Sequence, residues 1–543
     1  MAFSLGVIMK QIKQSKTTLS RIFLCCCCAL FSNGTLPAQE KSGSTDRTSE
    51  EMTARVDELL EAHLKEIGWD AAEPCNDSAF LRRVHLDLTG APPTGSEVLA
   101  FAADESNMKD IRLVDRLLGS ATSASHLAGQ WSRWMLPEDN SNPFLVGNSG
   151  LRNWLRDRFA ENLRYDRLVS DLMVATGPVQ AGPSEFFVAL EVKPEKIAAK
   201  TARVFMGVQL DCAECHDHPF DEWTQQDFWG FAAYFAQLSN NVDQPIAMRV
   251  GEIQDSDEGD VTLPGTEEIV PPKPLVETGF SGLSRGTRRQ QLTLWLTAKE
   301  NPFLARATVN RVWAMLFGRG LIEPIDDMRS IDMASHPEVL RELSEYFAAS
   351  GYDLRNLIST LAKTKAYRRS SMHIAGEPPE ASYAVMTTKP LTEQQINDTL
   401  TKVARQIVGN DNPAAQNVLA RQLGQLRGDA SEAKLGIVSA LVTLHGDLFD
   451  QVSREDSSRL LKALEAPFLD QRKQLRWLFL STLNRLPSQE EEAAFSELFS
   501  KLQTEQTEEL EGESATEQPD PQIPWQSDLL WALLNSTEFA MTP

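Results

Sequence analysis

The sequence predicts a mainly α protein, built as two helical domains joined by an acidic, proline-containing connection with little β structure. Three observations lead there. Apolar residues recur at helical spacing, as in Val56, Leu59, Leu60, Leu64 and Ile67, while alternating strand patterns are sparse. Helix-start signals, a Ser or Thr with an acid three residues later, precede several of these runs. Seven acids and no base fall between Gly251 and Glu268, followed by Pro271, Pro272 and Pro274, a composition suited to a connection. With 543 residues, 42% of them apolar, the chain can bury more than one core and is not a disordered tail.

The first 38 residues read as a secretory signal. Lys10, Lys13, Lys16 and Arg21 precede a short apolar run, Ile22 to Phe31, no acid occurs before Glu40, and Ala38 offers a small residue before a cleavage point. An amphipathic N-terminal helix is the other reading of this stretch. The run is short for a bilayer span, and Ile22-Phe23-Leu24 before Cys25 lacks the small residues of a lipoprotein site. The expected location is therefore exported, periplasmic or extracellular, with no transmembrane segment in the mature chain. Cleavage after Ala38 removes four positive and no negative charges, so the net charge goes from −23 to −27. Nucleic acid is then excluded as a partner, because phosphate binding needs a basic surface. Four of the seven cysteines leave with the signal. The remaining Cys75, Cys212 and Cys215 are too few for a disulfide scaffold.

Residues 39–50 are a polar, flexible lead. The first helical domain spans 51–245. It opens on a helix ending near Ile67 with Gly68 as its stop, followed by helices at Phe80 to Leu88, Val98 to Ala103, Ile111 to Leu118, Leu151 to Leu163, Arg167 to Val174 and Pro194 to Gln209. The connection spans 246–285, and the second helical domain spans 286–543. There, helices are expected at Leu292 to Ala298, Ala305 to Phe317 and His336 to Ala349, the last with Ser335 and Glu338 as a capping box and Gly351 as its stop. Asp353 caps a helix running to Tyr367, Leu502 to Gln522 reads as a second acidic loop, and Leu529 to Phe539 is the last helix. One pattern occurs twice: a helix, a proline-containing turn and a capped second helix, over Leu81 to Phe101 with Thr94 and Glu97, and over Phe479 to Phe495 with Ser488 and Glu491. A duplication and an ordinary helix hairpin made twice both account for it.

The chemistry-bearing cluster is Cys212-Ala-Glu-Cys215-His216-Asp217-His218-Pro219-Phe220, which contains the C-x-x-C-H haem-attachment spacing. Two thiols two residues apart can each join one of the two vinyl groups of a porphyrin, and the next residue, His216, is then placed as axial ligand to the iron. Three other readings share these residues. Cys212 and Cys215 could close a small disulfide, supply half of a four-ligand zinc site, or act as a dithiol redox pair. A helix entered through Thr224 and Asp227 follows, and its aromatics, Trp223, Phe228, Trp229, Phe231, Tyr234 and Phe235, could wall a flat cofactor or form a plain core. Asp326 and Asp327 read as a solvated loop rather than an acid/base pair. His63, His85, His126, His336, His373 and His445 read as helix-face, cap or surface residues. There is no G-x-S-x-G, Walker A loop, strand-borne G-x-G-x-x-G or H-E-x-x-H.

Phe80-Leu-Arg-Arg-Val-His-Leu-Asp-Leu-Thr-Gly-Ala-Pro-Pro-Thr94, Tyr165-Asp-Arg-Leu168 and Cys212 to Trp223 together resemble the planctomycete cytochrome-like domain of unknown function. Asn301-Pro-Phe-Leu-Ala-Arg306, Asn310-Arg-Val-Trp313, Phe317 to Leu321, Asp326-Asp327, Ser335 to Glu338, Gly351 to Leu354 and Asp528 to Asn535 resemble the domain that usually follows it. The resemblance implies an exported bacterial protein with a covalently attached haem c on Cys212 and Cys215, His216 as the iron's axial ligand, and an electron-transfer or redox-partner role. Larger relatives often carry an additional N-terminal cytochrome domain that this chain lacks. The alternatives carried forward are a haem-free structural or interaction protein of the cell envelope, associated with polysaccharide and pinned by a Cys212–Cys215 disulfide, and an enzyme using a non-haem metal at His216 and His218.

Overall fold

The computed structural model describes residues 47–137, 150–178, 182–219, 221–240, 252–277, 286–392, 395–396, 398–400, 458–512 and 525–543. The signal and most of the lead, Phe220, His445, and part of both acidic segments lie outside the described residues. The fold is mainly α, with three small sheets among the described residues. No helix among the described residues is long and apolar enough to cross a membrane.

Helix α1 (Ser49–Ile67) starts on a complete capping box between Thr48 and Glu51 and stops at Gly68 in the left-handed conformation. Its apolar stripe of Met52, Val56, Leu60 and Leu64 is buried. Helix α2 (Asp77–Thr89) is buried from Phe80 to Thr89 on all sides, charged residues included. It turns through Gly90, whose φ of +71° and whose closeness to the His126 ring, 2.4 Å from where a Cβ would stand, exclude any larger residue. Helices α3 (Gly95–Ala103), α4 (Lys109–Leu118) and α5 (Ala121–Met135) follow. No helix was expected at α5, although its buried Leu127, Trp131 and Met135 recur at helical spacing beside Ser123, Ala124 and Ala128. Next come α6 (Gly150–Ala160), α7 (Tyr165–Met173), β1 (Gly177–Pro178), α8 (Ser184–Ala189), α9 (Pro194–Thr201) and α10 (Gln225–Ala232).

The acidic connection is not bare coil. Strand β2 (Leu238–Asn240) and β1 both pair antiparallel with β3 (Glu252–Asp255), and β4 (Val261–Thr262) pairs with β5 (Ile269–Val270). Two of its acids serve the fold. Asp260 pairs with Arg288, and Asp255 takes a two-pronged hydrogen bond of 2.7 and 2.8 Å from the buried Arg289, which also donates to the Met173 and Ala175 carbonyls.

Helices α11 (Arg288–Leu296), α12 (Phe303–Phe317) and α13 (Pro337–Ala349) come next. The expected Ser335–Glu338 box at α13 does not form: His336 is the cap residue and gives no side-chain cap bond, while the Ser335 hydroxyl lies 3.1 Å from its Nδ1. Asp353 does cap α14 (Leu354–Ala362), but that helix stops short of Tyr367 and restarts as α15 (Lys365–Arg368) under a Thr364 cap. Strand β6 (Lys389–Pro390) precedes α16 (Arg459–Leu464), α17 (Gln471–Thr482) and α18 (Gln489–Gly512). Helix α18 runs on through Leu502 to Gly512, so the first half of the segment read as an acidic loop is helical. The last helix is two, α19 (Trp525–Leu534) and α20 (Thr537–Ala540), broken where Ser536 caps the second, and β7 (Met541–Thr542) returns to pair with β6.

Residues Thr45–Pro543 form one compact unit. A single apolar core runs from Met52 and Val56 through Trp131, Phe231, Trp295 and Trp313 to Leu357 and Tyr367, drawing on sequence from both sides of the connection. A second core collects Leu86, Leu391, Leu475, Leu478, Leu530 and Phe539. Helix α2 lies between them. Arg82 donates to the Thr482 and Phe539 carbonyls and to Asn484 Oδ1, and Arg83 to the carbonyls of Tyr367, Arg369 and Pro543. Asp87 accepts from Tyr367 Oη at 2.7 Å and from Lys389 Nζ at 2.6 Å. Buried charge is tolerated here because each charged group meets hydrogen-bond partners.

The two repeated hairpins pack on each other. Both capping boxes form, Thr94 with Glu97 and Ser488 with Glu491. Both first helices are followed by a left-handed residue three positions before the proline, Gly90 and Asn484. Asn484 Nδ2 reaches across to the Pro93 carbonyl at 3.0 Å.

Candidate functional site

The Cys-Ala-Glu-Cys-His segment sits on a surface loop clamped between two helical elements. On the entry side, the helix expected to reach Gln209 ends earlier: α9 passes into one wide π turn, Ala202–Met206, and stops at Gly207 with φ +67°. A Cβ on Gly207 would stand 2.8 Å from the Met328 side chain, and the Gly207 carbonyl accepts from Met328 N at 2.6 Å, so the stop is fixed by close backbone contact. Buried Leu210 and Ala213 then anchor a 3₁₀ turn, Asp211–Glu214, which leaves Cys212 and Cys215 on the outside.

On the exit side, α10 holds the loop with its first turns. Gln225 Nε2 and Trp229 Nε1 both donate to the Glu214 carbonyl, at 3.1 and 3.0 Å, Gln225 N donates to Asp217 Oδ1 at 2.9 Å, and His218 N donates to the Trp223 carbonyl at 2.8 Å. The Thr224–Asp227 capping box forms as expected. The aromatics after it divide by role: Phe228, Phe231, Tyr234 and Phe235 are core, whereas Trp229 pins the loop. Burial pushes the Tyr234 hydroxyl up to about 12.

Both thiols are free and exposed, as is Cys75's thiol in part, and no bond joins Cys212 to Cys215. His216 is exposed, and its Nδ1 lies 2.8 Å from the Asp217 carbonyl. A carbonyl oxygen only accepts, so Nδ1 carries a proton; in the neutral ring this leaves the lone pair on Nε2, the arrangement in which a histidine is ready to ligate through Nε2. Arg203 flanks the cysteines, paired with Asp211 at 2.5 Å.

The carboxylates Asp326 and Asp327 stand nearby, and they are partly buried rather than solvated. Asp326 accepts from Gln209 Nε2 at 2.9 Å and lies 3.5 Å from Arg203; Asp327 pairs with Arg329 at 2.7 Å. The Arg329 hydrogen bond holds the Asp327 carboxyl below the usual carboxylate range, with His218 adding a smaller pull. Each carboxylate is committed to a different cation, so they do not form an acid/base pair. Among the described residues, no three His, Cys, Asp or Glu side chains converge as a metal site. A cavity of about 240 Å³ adjoins the loop through Val208, Glu222 and Trp223, but neither cysteine nor His216 lines it. It is smaller than the ~300–1,000 Å³ typical of sites for drug-sized ligands, and no macrocycle fits inside.

The donor set therefore fits covalent haem attachment at the surface: two free thiols at the required spacing and an imidazole with Nε2 available. Residue spacing pointed to Cys212, Cys215 and His216 together. The clamps from Gln225, Trp229 and Gln209 were not foreseen, since single polar contacts across a loop leave no periodic trace.

No curated protein and no solved structure matches the chain. Residues 55–240 match PSCyt2, described as a protein of unknown function, and residues 288–434 match PSD1, also described as a protein of unknown function. In the order the motifs gave, one on each side of the acidic connection, the chain belongs to the proteins that carry a PSCyt2 domain followed by a PSD1 domain.

Proposed function

We propose that this is an exported, periplasmic or extracellular protein that carries one haem c on Cys212 and Cys215, with His216 as axial ligand, and serves in electron transfer or as a redox partner. The observation that carries the reading is the state of the three residues: both thiols unpaired and exposed, and His216 Nε2 left open by the 2.8 Å contact of Nδ1 with the Asp217 carbonyl. Each thiol can add across a vinyl double bond, sulfur to one carbon and the thiol proton to the other, with no oxidant needed. The Gln225 and Trp229 hydrogen bonds to the Glu214 carbonyl hold the loop so that both thiols and the imidazole stay presented together. The bound group would supply a one-electron couple. The exposure of all three residues keeps that couple within reach of a partner protein.

The test is an absorption spectrum of protein produced with a cytochrome c maturation system. A Soret band that survives denaturation, and disappears in Cys212→Ser with Cys215→Ser, is the expected result. Colourless protein in which Cys212 and Cys215 have oxidised to each other overturns the proposal in favour of a haem-free envelope protein.

A further inference from the structure

We propose that the cavity beside the cysteine loop is a binding site for a small carboxylate with an aromatic or branched aliphatic body, its carboxylate held by Arg306. The cavity, about 240 Å³, is lined by Trp223 and by Phe303 and Arg306 from the first turn of α12, with Val276, Ile322 and Ile331 among its apolar residues. Its lining comes from segments that the haem reading leaves without a task. The end of the Cys212–Trp223 run gives Glu222 and Trp223, and the Asn301–Arg306 run gives Pro302, Phe303 and Arg306.

Arg306 decides the ligand's charge. It is half-buried and, among the described residues, its guanidinium makes neither a hydrogen bond nor an ion pair. Burial, followed by repulsion from Arg341, lowers its proton affinity, and the attraction of Glu345 offsets less than either. Two other arginines are paired with a carboxylate: Arg289 with Asp255, and Arg329, which also lines the cavity, with Asp327. A partly desolvated cation facing an apolar cavity is complemented by an anion that brings its own apolar surface. Glu222 stands exposed at the rim, where water screens its charge, and it favours a ligand with one carboxylate turned inward over a diacid.

Size follows from volume. At ~30 Å³ per water, the space holds roughly eight waters, hence a ligand of about eight to ten non-hydrogen atoms. One ring or a short branched chain fills it, with Trp223 and Phe303 as aromatic walls.

The probe is phenylacetate, titrated into the full chain by calorimetry and by saturation-transfer NMR, with phenylacetamide as the neutral isostere. Saturable phenylacetate binding at millimolar concentration or tighter is expected, with phenylacetamide weaker by about tenfold or more because it offers the guanidinium no charge. Arg306→Met should remove that discrimination without lowering the melting temperature, since the wild-type cation has no partner to lose. Should Arg306→Met fail to fold, Ile331→Trp fills the cavity with Arg306 intact and should abolish phenylacetate binding. Absence of saturable binding to the wild-type chain, equal affinity for acid and amide, or unchanged binding to Ile331→Trp overturns the proposal. The site does not depend on haem, and binding should persist in Cys212→Ser with Cys215→Ser, so the two proposals fail separately.

Discussion

Acid should unfold this protein partly through one histidine. His336 is only 6% exposed, packed edge-on against His63 at 4.4 Å and against Tyr383 at 5.4 Å, with Nε2 buried and without a hydrogen-bond partner. It also caps the N-terminus of α13, where the helix dipole opposes a positive charge. Burial first, and the neighbouring His63 second, bring its pKa from 6.5 down to about 4. The unfolded chain therefore binds a proton that the folded chain refuses, and stability present above about pH 6.5 is lost as the pH falls toward 4. At about 1.4 kcal/mol for each pH unit between those limits, the full effect is about 3 kcal/mol, of which about 2 kcal/mol is gone by about pH 5. The assay is urea unfolding of the wild type and of His336→Gln at about pH 7.5 and about pH 5. The variant starts from its own stability but should lose about 2 kcal/mol less between the two conditions. Parallel losses in the two proteins would refute the claim that His336 is held neutral by burial.

His126 beside Gly90 is also brought down to about 4, by burial and then by the charge of Arg133, so His126→Gln should flatten the same acid limb, additively with His336→Gln, in the same urea series. Asn484 combines a left-handed backbone at φ +58° with bonds to Pro93 and Arg82; Asn484→Ala should cost about 2–3 kcal/mol by chemical denaturation, and Asn484→Gly about 1 kcal/mol less because glycine accepts that backbone. Lys389→Met strands the buried Asp87 charge and should cost about 3–5 kcal/mol, with part of the loss recovered when Asp87→Asn is added.

What could be read from the sequence was local. The Thr94, Thr224 and Asp353 caps and the Gly68 stop were legible because each is decided within one helical turn, and the mainly α class followed from them. What failed was decided by distant chain. Ser335 does not box α13 because its backbone N–H is taken up by the Leu321 carbonyl and its hydroxyl by His336; His336 is itself the cap residue and His85 lies on α2, as the helix-face, cap or surface reading allows, and both are buried. Asp326 and Asp327 are not a solvated loop because Gln209, Arg203 and Arg329 converge on them. The site triad Cys212, Cys215 and His216 was visible as a spacing. The cavity and its free cation were not, since Trp223, Phe303 and Ile331 meet only once the chain has folded.

The first helix has a consequence for how the chain comes to be folded at all. Thr53 Oγ1 donates to the Thr360 carbonyl, and Asp57 accepts from the backbone N–H groups of Lys365 and Ala366, contacts that join residues 307 to 309 positions apart. Met52, Val56 and Leu60 are buried in that same packing. A ribosome adding about 5–20 residues per second presents this stripe roughly 15–60 s before α14 exists to cover it. During that interval the stripe is a sticky surface on a growing chain, and closing so long a loop is slow even afterwards. The stripe is therefore completed only late in synthesis, and residues 55–240 made by themselves would leave Val56, Leu60 and Leu64 without the α14 side of their packing.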